Sequence, residues 1–317
     1  MERNGGPEVL EPAERPDPEP GDGQLLVEVA AAGVNYRDVY ERIGGGYGSP
    51  APTIVGIEGA GTVRAIGPGV DGFAEGDRVA WTNGTGSYAE LVALNARAAV
   101  PVPDGIDDET AAAALLQGMT AHYLCISTYA VQEGDWVVVH AAAGGVGLLL
   151  TQMVKLRGGN VLGTTSTDEK AQLARDAGAD EVVRYERFAE RANELTGGKG
   201  VAAVYDGVGK TTFDDGLECL CVRGMMALYG QSSGPVPPLD ARVLYPKGLF
   251  LTRPSLVHYT RTREELLWRA KDVFDWIAEG RLTVRIGGRY PLADARGAHE
   301  DLERRRTTGK LLLLPHG

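Results

Sequence analysis

The stretch Val137-Val138-Val139-His140-Ala141-Ala142-Ala143-Gly144-Gly145-Val146-Gly147 constrains the fold more than any other part of the chain. A β-branched run without alternation reads as a strand buried on both faces, as parallel sheets require. It leads into glycines and then into helical apolar spacing from Val146 to Leu156. Glycine lets the backbone approach a pyrophosphate with no Cβ in the way. The helix start adds free N–H groups and partial positive charge. Set against G-x-G-x-x-G, Ala142 stands at the first glycine, and Gly144 and Gly147 hold the other two places. A bare tight turn is the alternative, but the strand before and the helix after favour a dinucleotide site.

The end of the next strand decides which dinucleotide. An acidic side chain there holds a ribose 2′-hydroxyl. This chain has Thr164-Thr165-Ser166-Thr167, followed by Asp168, Glu169 and Lys170. Hydroxyls with a lysine one turn later suit a 2′-phosphate and so NADPH. Ser166 or Thr167 as a mere helix cap, with Lys170 solvated, is the competing reading.

Around this motif the chain alternates strand and helix. The pattern predicts strands at Trp136–His140, Asn160–Thr164, Glu181–Arg184, Val201–Tyr205 and Gly224–Leu228, and helices at Glu169–Ala177, Phe188–Leu195 and Phe213–Leu220. That succession is a doubly wound parallel sheet, an α/β Rossmann fold. The first third is different: short strands at Gln24–Val29, Thr62–Ile66 and Arg78–Trp81, punctuated by glycine turns, suggest a small barrel or sandwich. An alanine-rich helix (Ala111–Leu115) starts after the acidic run Asp107–Glu109. Further helices are expected at Glu264–Glu279 and Ala293–Arg306, with a last strand at Leu311–Leu314. At 317 residues, two domains are the natural expectation.

A net charge of −11 disfavours non-specific binding to a phosphate backbone, so nucleic acid is not an expected partner. The basic run Arg304-Arg305-Arg306 lies among acidic residues and reads as a solvated helix face. Three cysteines (Cys125, Cys219, Cys221) make no disulfide framework and are expected to be small buried hydrophobes in a reducing compartment. No secretory signal or membrane-length apolar run is legible, so the cytoplasm is the expected location and no membrane partner is expected.

From Ala142-Ala143-Gly144-Gly145-Val146-Gly147 outward, the whole chain resembles the zinc-free quinone oxidoreductase (zeta-crystallin-like) family of medium-chain dehydrogenases. The likeness includes Gly5-Gly6-Pro7-Glu8-Val9-Leu10, Gly33-Val34-Asn35-Tyr36-Arg37-Asp38, Gly56-Ile57-Glu58-Gly59-Ala60-Gly61 and Gly118-Met119-Thr120-Ala121, and ends at Thr252-Arg253-Pro254-Ser255 and Thr308-Gly309-Lys310. One departure is that the family's usual first strand is short or absent. In zinc-dependent relatives a Cys stands at Asn35 and Gly-His-Glu stands at Gly56-Ile57-Glu58. Asparagine and isoleucine do not replace such ligands, and the scattered histidines make no ligand spacing, so no metal is expected.

The resemblance implies a GroES-like catalytic domain (residues 1–119 and 255–317) and an inserted Rossmann NADPH-binding domain (120–254), with the active site in the cleft between them. It implies a homodimer pairing near Leu249–Thr252. It implies NADPH-dependent reduction of a quinone or activated alkene, which accepts hydride without a Lewis acid. By the same resemblance, Asn35, Tyr40 and Tyr47 border the reacting ring and the substrate. Thr120 and Tyr123 lie at its carboxamide side, and Gly144, Gly145, Val146 and Gly147 hold the pyrophosphate. Ser166, Lys170 and Tyr185 contact the adenosine phosphate. Tyr229, Gln231 and Ser232 touch the nicotinamide ribose, and Lys310, in a terminal motif that varies among relatives, counts with the cofactor contacts. An NADPH-dependent enone or enoyl reductase is the alternative within enzymes. An NADPH-sensing or RNA-binding crystallin-like protein is the alternative outside them.

Overall fold

A computed structural model describes residues 1–45 and 50–317. In chain order the elements are β1 (Gln24–Val34), α1 (Tyr36–Arg42), β2 (Gly59–Ile66), β3 (Arg78–Trp81), β4 (Leu91–Asn95), β5 (Val100–Pro101) and α2 (Asp108–Tyr123). Then come β6 (Trp136–Val139), α3 (Gly145–Leu156), β7 (Asn160–Thr164), α4 (Asp168–Asp176), β8 (Glu181–Val183), α5 (Phe188–Leu195), β9 (Val201–Asp206), α6 (Phe213–Cys219), β10 (Leu220–Leu228) and β11 (Phe250–Thr252). The chain closes with α7 (Leu256–Tyr259), α8 (Arg263–Ala278), β12 (Ile286–Pro291), α9 (Ala295–Glu303) and β13 (Lys310–Leu314). It divides into two units. One comprises Met1–Leu116, Thr260–Gly280 and Val284–Gly317, and the other Gln117–Tyr259 and Arg281–Thr283.

The first unit is built on β1. Its strands run β12-β13-β1-β2-β3-β5, with β4 also paired to β1. All pairs are antiparallel except β12 with β13. Alternation along β1 sends Leu25, Val27 and Val29 inward, where Val63, Val79, Trp81, Val92, Leu94, Leu311 and Leu313 complete the core. The Trp81 indole, fully buried, keeps a partner because its N–H donates to Ser87 Oγ at 2.9 Å. Before β1 the described chain forms only a 3-10 turn at Pro7–Val9.

The second unit is a six-stranded parallel sheet in the order β11-β10-β9-β6-β7-β8. Read from β8, that is the doubly wound order whose direction reverses between β6 and β9, where such sheets bind ligands beyond their strand ends. Val138, Leu162, Val201, Val204 and Met226 from the strands pack on Phe188, Ala192, Phe213 and Leu217 from α5 and α6.

Local chemistry explains most element ends. Asp107 caps α2 by accepting the Thr110 N–H at 2.7 Å. Thr262 and Glu265 form a reciprocal capping box at α8. The expected Ala293–Arg306 helix shortens to α9, because Asp294 caps it and Arg305 takes a left-handed φ of 56°. Cys125 and Cys219 are buried as expected, but Cys221 is only half-buried.

Gly61 marks the tightest passage between β1 and β2. A Cβ there would stand 2.9 Å from the Glu28 carbonyl carbon and closer still to its oxygen. Gly61→Ala should lower unfolding stability by about 3 kcal/mol or more, since backbone rather than a flexible side chain has to move. Urea denaturation checks this; a loss under about 0.5 kcal/mol would contradict the registered strand pairing.

Candidate functional site

In the second unit, β6 ends at His140 and the chain turns through Ala141, which holds φ at 50°, a conformation few side chains adopt. The turn closes with Gly144 N–H on the Ala141 carbonyl at 2.8 Å, and Gly144 then caps α3 in extended conformation. The N–H groups of Gly145, Val146 and Gly147 open the helix with no carbonyl one turn behind them. A Cβ on Gly144 would meet protein only at the Ala141 carbonyl, 3.2 Å away, and otherwise faces open space. Gly147 lies so close under the turn that a Cβ would come within 2.7 Å of Ala142 Cα. Ala142, at the first glycine position, fits because β7 offers Gly163, where a Cβ would sit 3.0 Å from Ala142 Cβ. Free N–H groups, helix dipole and open glycine surface together fit a dinucleotide pyrophosphate.

Around this turn the ends of β6, β7, β8 and β9 bring polar side chains. His140 Nδ1 meets Thr164 Oγ1 at 2.9 Å, and its ring stacks on Tyr185 (6.1 Å, 23°) and meets Phe188 edge-on (4.6 Å). Burial pushes the His140 pKa down, partly offset by Asp206, so the ring is neutral. Its Nε2 has no hydrogen-bond partner among the described residues. Asp206 accepts the Val208 and Gly209 N–H groups and the Thr212 hydroxyl, which fixes the Gly207–Gly209 loop. The loop after β10 locks onto it: Ser232 N–H donates to Gly207 O, and a Cβ on Gly207 would collide with the Tyr229 ring at 2.9 Å.

Thr167, not Ser166, caps α4, its Oγ1 accepting the Lys170 N–H at 3.2 Å. Ser166 is exposed just before that cap, and Lys170 stands in the first turn. Arg184, beside Tyr185 at the end of β8, donates to Asp168 at 2.8 Å. In the sequence, only its place next to Tyr185 marks this guanidinium. Thr120 is half-buried on α2, whereas Tyr123 is buried and stacked face to face on Tyr259 at 4.3 Å. Gln231 lies in the loop after β10, half-buried.

In the first unit, Asn35 leaves β1 and starts α1, its backbone N–H donating to Asp38 Oδ2 at 2.8 Å. Its side-chain Nδ2 donates to Gly33 O at 3.2 Å and to Glu58 Oε2 at 3.1 Å. Lys310, at the start of β13, donates from Nζ to Asn35 Oδ1 at 2.8 Å and to Glu58 Oε2. The Lys310 contact to Glu58 is a buried ion pair, so this ammonium is engaged inside the first unit. Tyr40 is half-buried on α1, 6.1 Å from the Tyr36 ring. Tyr47 lies outside the described residues.

A second buried network adjoins this one through Asp38. Arg42 ion-pairs with Glu303 and donates from Nη1 to His299 Nδ1 at 3.1 Å. A guanidinium can only donate, so the neutral imidazole carries its proton on Nε2 and offers it to the Tyr88 oxygen at 3.0 Å. The Tyr88 hydroxyl in turn donates to Asp38 Oδ2 at 3.0 Å, while Asp38 Oδ1 has no hydrogen-bond partner among the described residues. Burial and the Asp38 carboxylate hold the Tyr88 phenol well above its usual range. Among the described residues no group of three His, Cys, Asp or Glu converges to hold a metal ion, and no helix is long and apolar enough to cross a membrane.

The family described as alcohol dehydrogenase GroES-like domain matches residues 21–104, and that described as zinc-binding dehydrogenase matches residues 145–277. A quinone oxidoreductase of Pseudomonas aeruginosa is 45% identical, covering 98% of this chain and 97% of its own. A 2-haloacrylate reductase of a Burkholderia species is 39% identical over 99% and 98%. The Escherichia coli quinone oxidoreductase solved with NADPH superposes with a TM-score of 0.96 at 40% identity, covering 99% and 98%. A mycobacterial protein solved with NADPH gives a TM-score of 0.96 at 51% identity, with the same coverage.

Asp38 and His299 oppose one another as pH changes. Burial pushes Asp38 from 3.8 up to about 7, against the attraction of Lys310, the Asn35 N–H, Tyr88 and Arg37. The folded protein then holds a proton that the unfolded chain releases, so this stabilisation is full below about pH 4 and lost as pH rises through about 7. Burial and then Arg42 push His299 from 6.5 down to about 3. Its contribution is full above about pH 6.5 and lost as pH falls through about 3, so the two slopes offset across the shared window. Relative to the native protein, Asp38→Asn should therefore gain stability as pH rises from about 4 to 6.5, and His299→Gln should lose it. Urea unfolding at stepped pH measures both; curves parallel to the native protein's would contradict the opposed titrations.

Proposed function

The chain belongs to the quinone oxidoreductase family of the medium-chain dehydrogenases, and from that membership we propose that it reduces quinones with NADPH. One observation carries the cofactor choice. The strand end after β7 presents buried Thr164 and Thr165 and exposed Ser166, with Lys170 in the first turn of α4 and Arg184 paired to the exposed Asp168, so hydroxyls rather than a carboxylate fill Thr164 to Thr167. A 2′-phosphate suits that set through charge-assisted hydrogen bonds, while Gly144 to Gly147 suit the pyrophosphate.

NADPH, when bound, supplies a hydride to an electron-poor acceptor. The chain supplies binding and orientation. Asn35 presents a fixed amide at the start of α1, and Tyr40 offers a phenol ring and hydroxyl to a flat substrate and its proton. Tyr47 belongs to the same reading. Thr120, Tyr123, Tyr229, Gln231 and Ser232 are assigned to the nicotinamide half of the cofactor, and Ser166, Lys170 and Tyr185 to its adenosine phosphate. A second reading, reduction of an activated alkene such as a haloacrylate, is favoured by the relative of that activity at 39% identity.

We assign the chain to the cytoplasm, where its three free thiols stay reduced. We also infer a homodimer formed through β11, the end strand of the six-stranded sheet, which exposes Phe250 and Leu251 beside the exposed Val243 and Tyr245. Light scattering should give twice the 33.6 kDa chain mass, and Phe250→Asp should halve it. A native protein that elutes as a monomer would end this assignment.

Steady-state oxidation of NADPH and NADH against a panel of ortho-quinones, para-quinones and 2-haloacrylates tests the activity. NADPH with a quinone should turn over fastest; turnover with haloacrylate alone would promote the second reading. Lys170→Ala and Arg184→Ala should each raise the NADPH KM about ten-fold and leave that of NADH nearly unchanged. Equal effects on both nucleotides would remove these residues from the 2′-phosphate.

A further inference from the structure

The Lys310–Glu58 pair is among the least accessible charged pairs a protein can build: the side chains are 2% and 0% exposed. Burying an ammonium and a carboxylate costs several kcal/mol per ion, and well-packed apolar residues of similar size usually serve a core as well or better. Gly33 in β1 is adapted to the pair. A Cβ there would stand 2.6 Å from Lys310 Cε and 2.7 Å from Nζ, so a glycine strand position is given up to let the two side chains meet.

The atoms of this cluster converge on one group. Glu58 Oε1 accepts the Leu116 N–H of α2 at 2.7 Å, which holds the carboxylate in one orientation. Oε2 then accepts both Lys310 Nζ and Asn35 Nδ2. Lys310 can only donate, so the Asn35 amide must present its oxygen to the ammonium and its nitrogen to Glu58 and the Gly33 carbonyl. A flipped amide would set N–H against ammonium and oxygen against carboxylate.

We propose that Lys310 and Glu58 are positioning residues that lock the Asn35 carboxamide in a single orientation and hold a fixed positive charge against its oxygen. This rests on the reading that Asn35 borders the reacting groups. Lys310, assigned from sequence to cofactor contact, acts instead through Asn35. The amide dipole is polarised by the adjacent ammonium, and the side chain is spared a rotation when substrate arrives. An unpaired or neutral cluster would leave two amide orientations open.

The test separates positioning from stability. Lys310→Met leaves a buried carboxylate alone and should lose both stability and turnover. The double variant Lys310→Met/Glu58→Met removes both charges with side chains of similar length and should recover the native unfolding midpoint. Its kcat at saturating NADPH should stay about 100-fold below native, with quinone KM changed less than about three-fold. Recovery of kcat together with stability would overturn the proposal. A second readout needs no turnover: the Asn35 side-chain amide protons, identified by their loss in Asn35→Asp, should exchange slowly with solvent in the native protein. They should exchange at least about ten-fold faster in the double variant, because the Glu58 acceptor is gone. If the native protein shows no turnover with any acceptor, the functional reading fails, and exchange alone decides. Faster exchange keeps the positioning role, and unchanged exchange overturns it.

Discussion

A charge taken out of water must meet its opposite within hydrogen-bond reach, and the first unit is organised by that requirement. Lys310 on β13, Glu58 before β2 and Asn35 after β1 are remote in sequence, and their pairing fixes where three chain segments cross. Gly33 exists as glycine because no Cβ fits between them. The Arg42–Glu303 pair does the same for α1 and α9, with His299, Tyr88 and Asp38 strung between the two clusters. The hydrogen bonds along that string run in one direction, from guanidinium to carboxyl, so each group fixes the protonation state of the next. The apolar core on β1 supplies the bulk of the burial, and the buried ion pairs tie remote segments to it.

The second unit solves a different problem, that of presenting unpaired backbone N–H groups without stranding them in apolar surroundings. It places them at the start of α3, at the point where the sheet order reverses, with Ala141 held in a left-handed conformation to make the turn. The strain of that φ is tolerable because Gly147 lets the helix pass close beneath the turn and Gly163 makes room for Ala142. Gly207 and Gly230 allow the loops after β9 and β10 to lie against each other in the same manner. The turn before α3 thus depends on backbone spacing more than on side-chain charge.

Much of this was legible in the sequence wherever the signal was local. The β-branched run of β6 and the glycines after it announce the doubly wound sheet, and the Thr164 to Thr167 stretch announces a strand end without a carboxylate. Signals that depend on remote pairing were not legible. Nothing near Lys310 shows that Glu58 faces it across 252 positions. In the sequence Lys310 stands only in a terminal Thr-Gly-Lys run, and Asp38 and Glu58 only inside local motifs. Strands β4 and β12 carry no legible pattern because they owe their existence to pairing with β1 and β13 rather than to their own residues. Arg184 carries no such signal, since a lone arginine at a strand end is ordinary until its neighbours are known.

Single-turnover mixing of the NADPH-loaded protein with an ortho-quinone tests the central claim most directly. The loss of reduced-nicotinamide absorbance should match the protein concentration, appear with the same rate as the hydroquinone, and slow when the transferred hydrogen is replaced by deuterium. Bound NADPH that stays reduced in the presence of quinone, while the same protein binds it tightly, would contradict the claim.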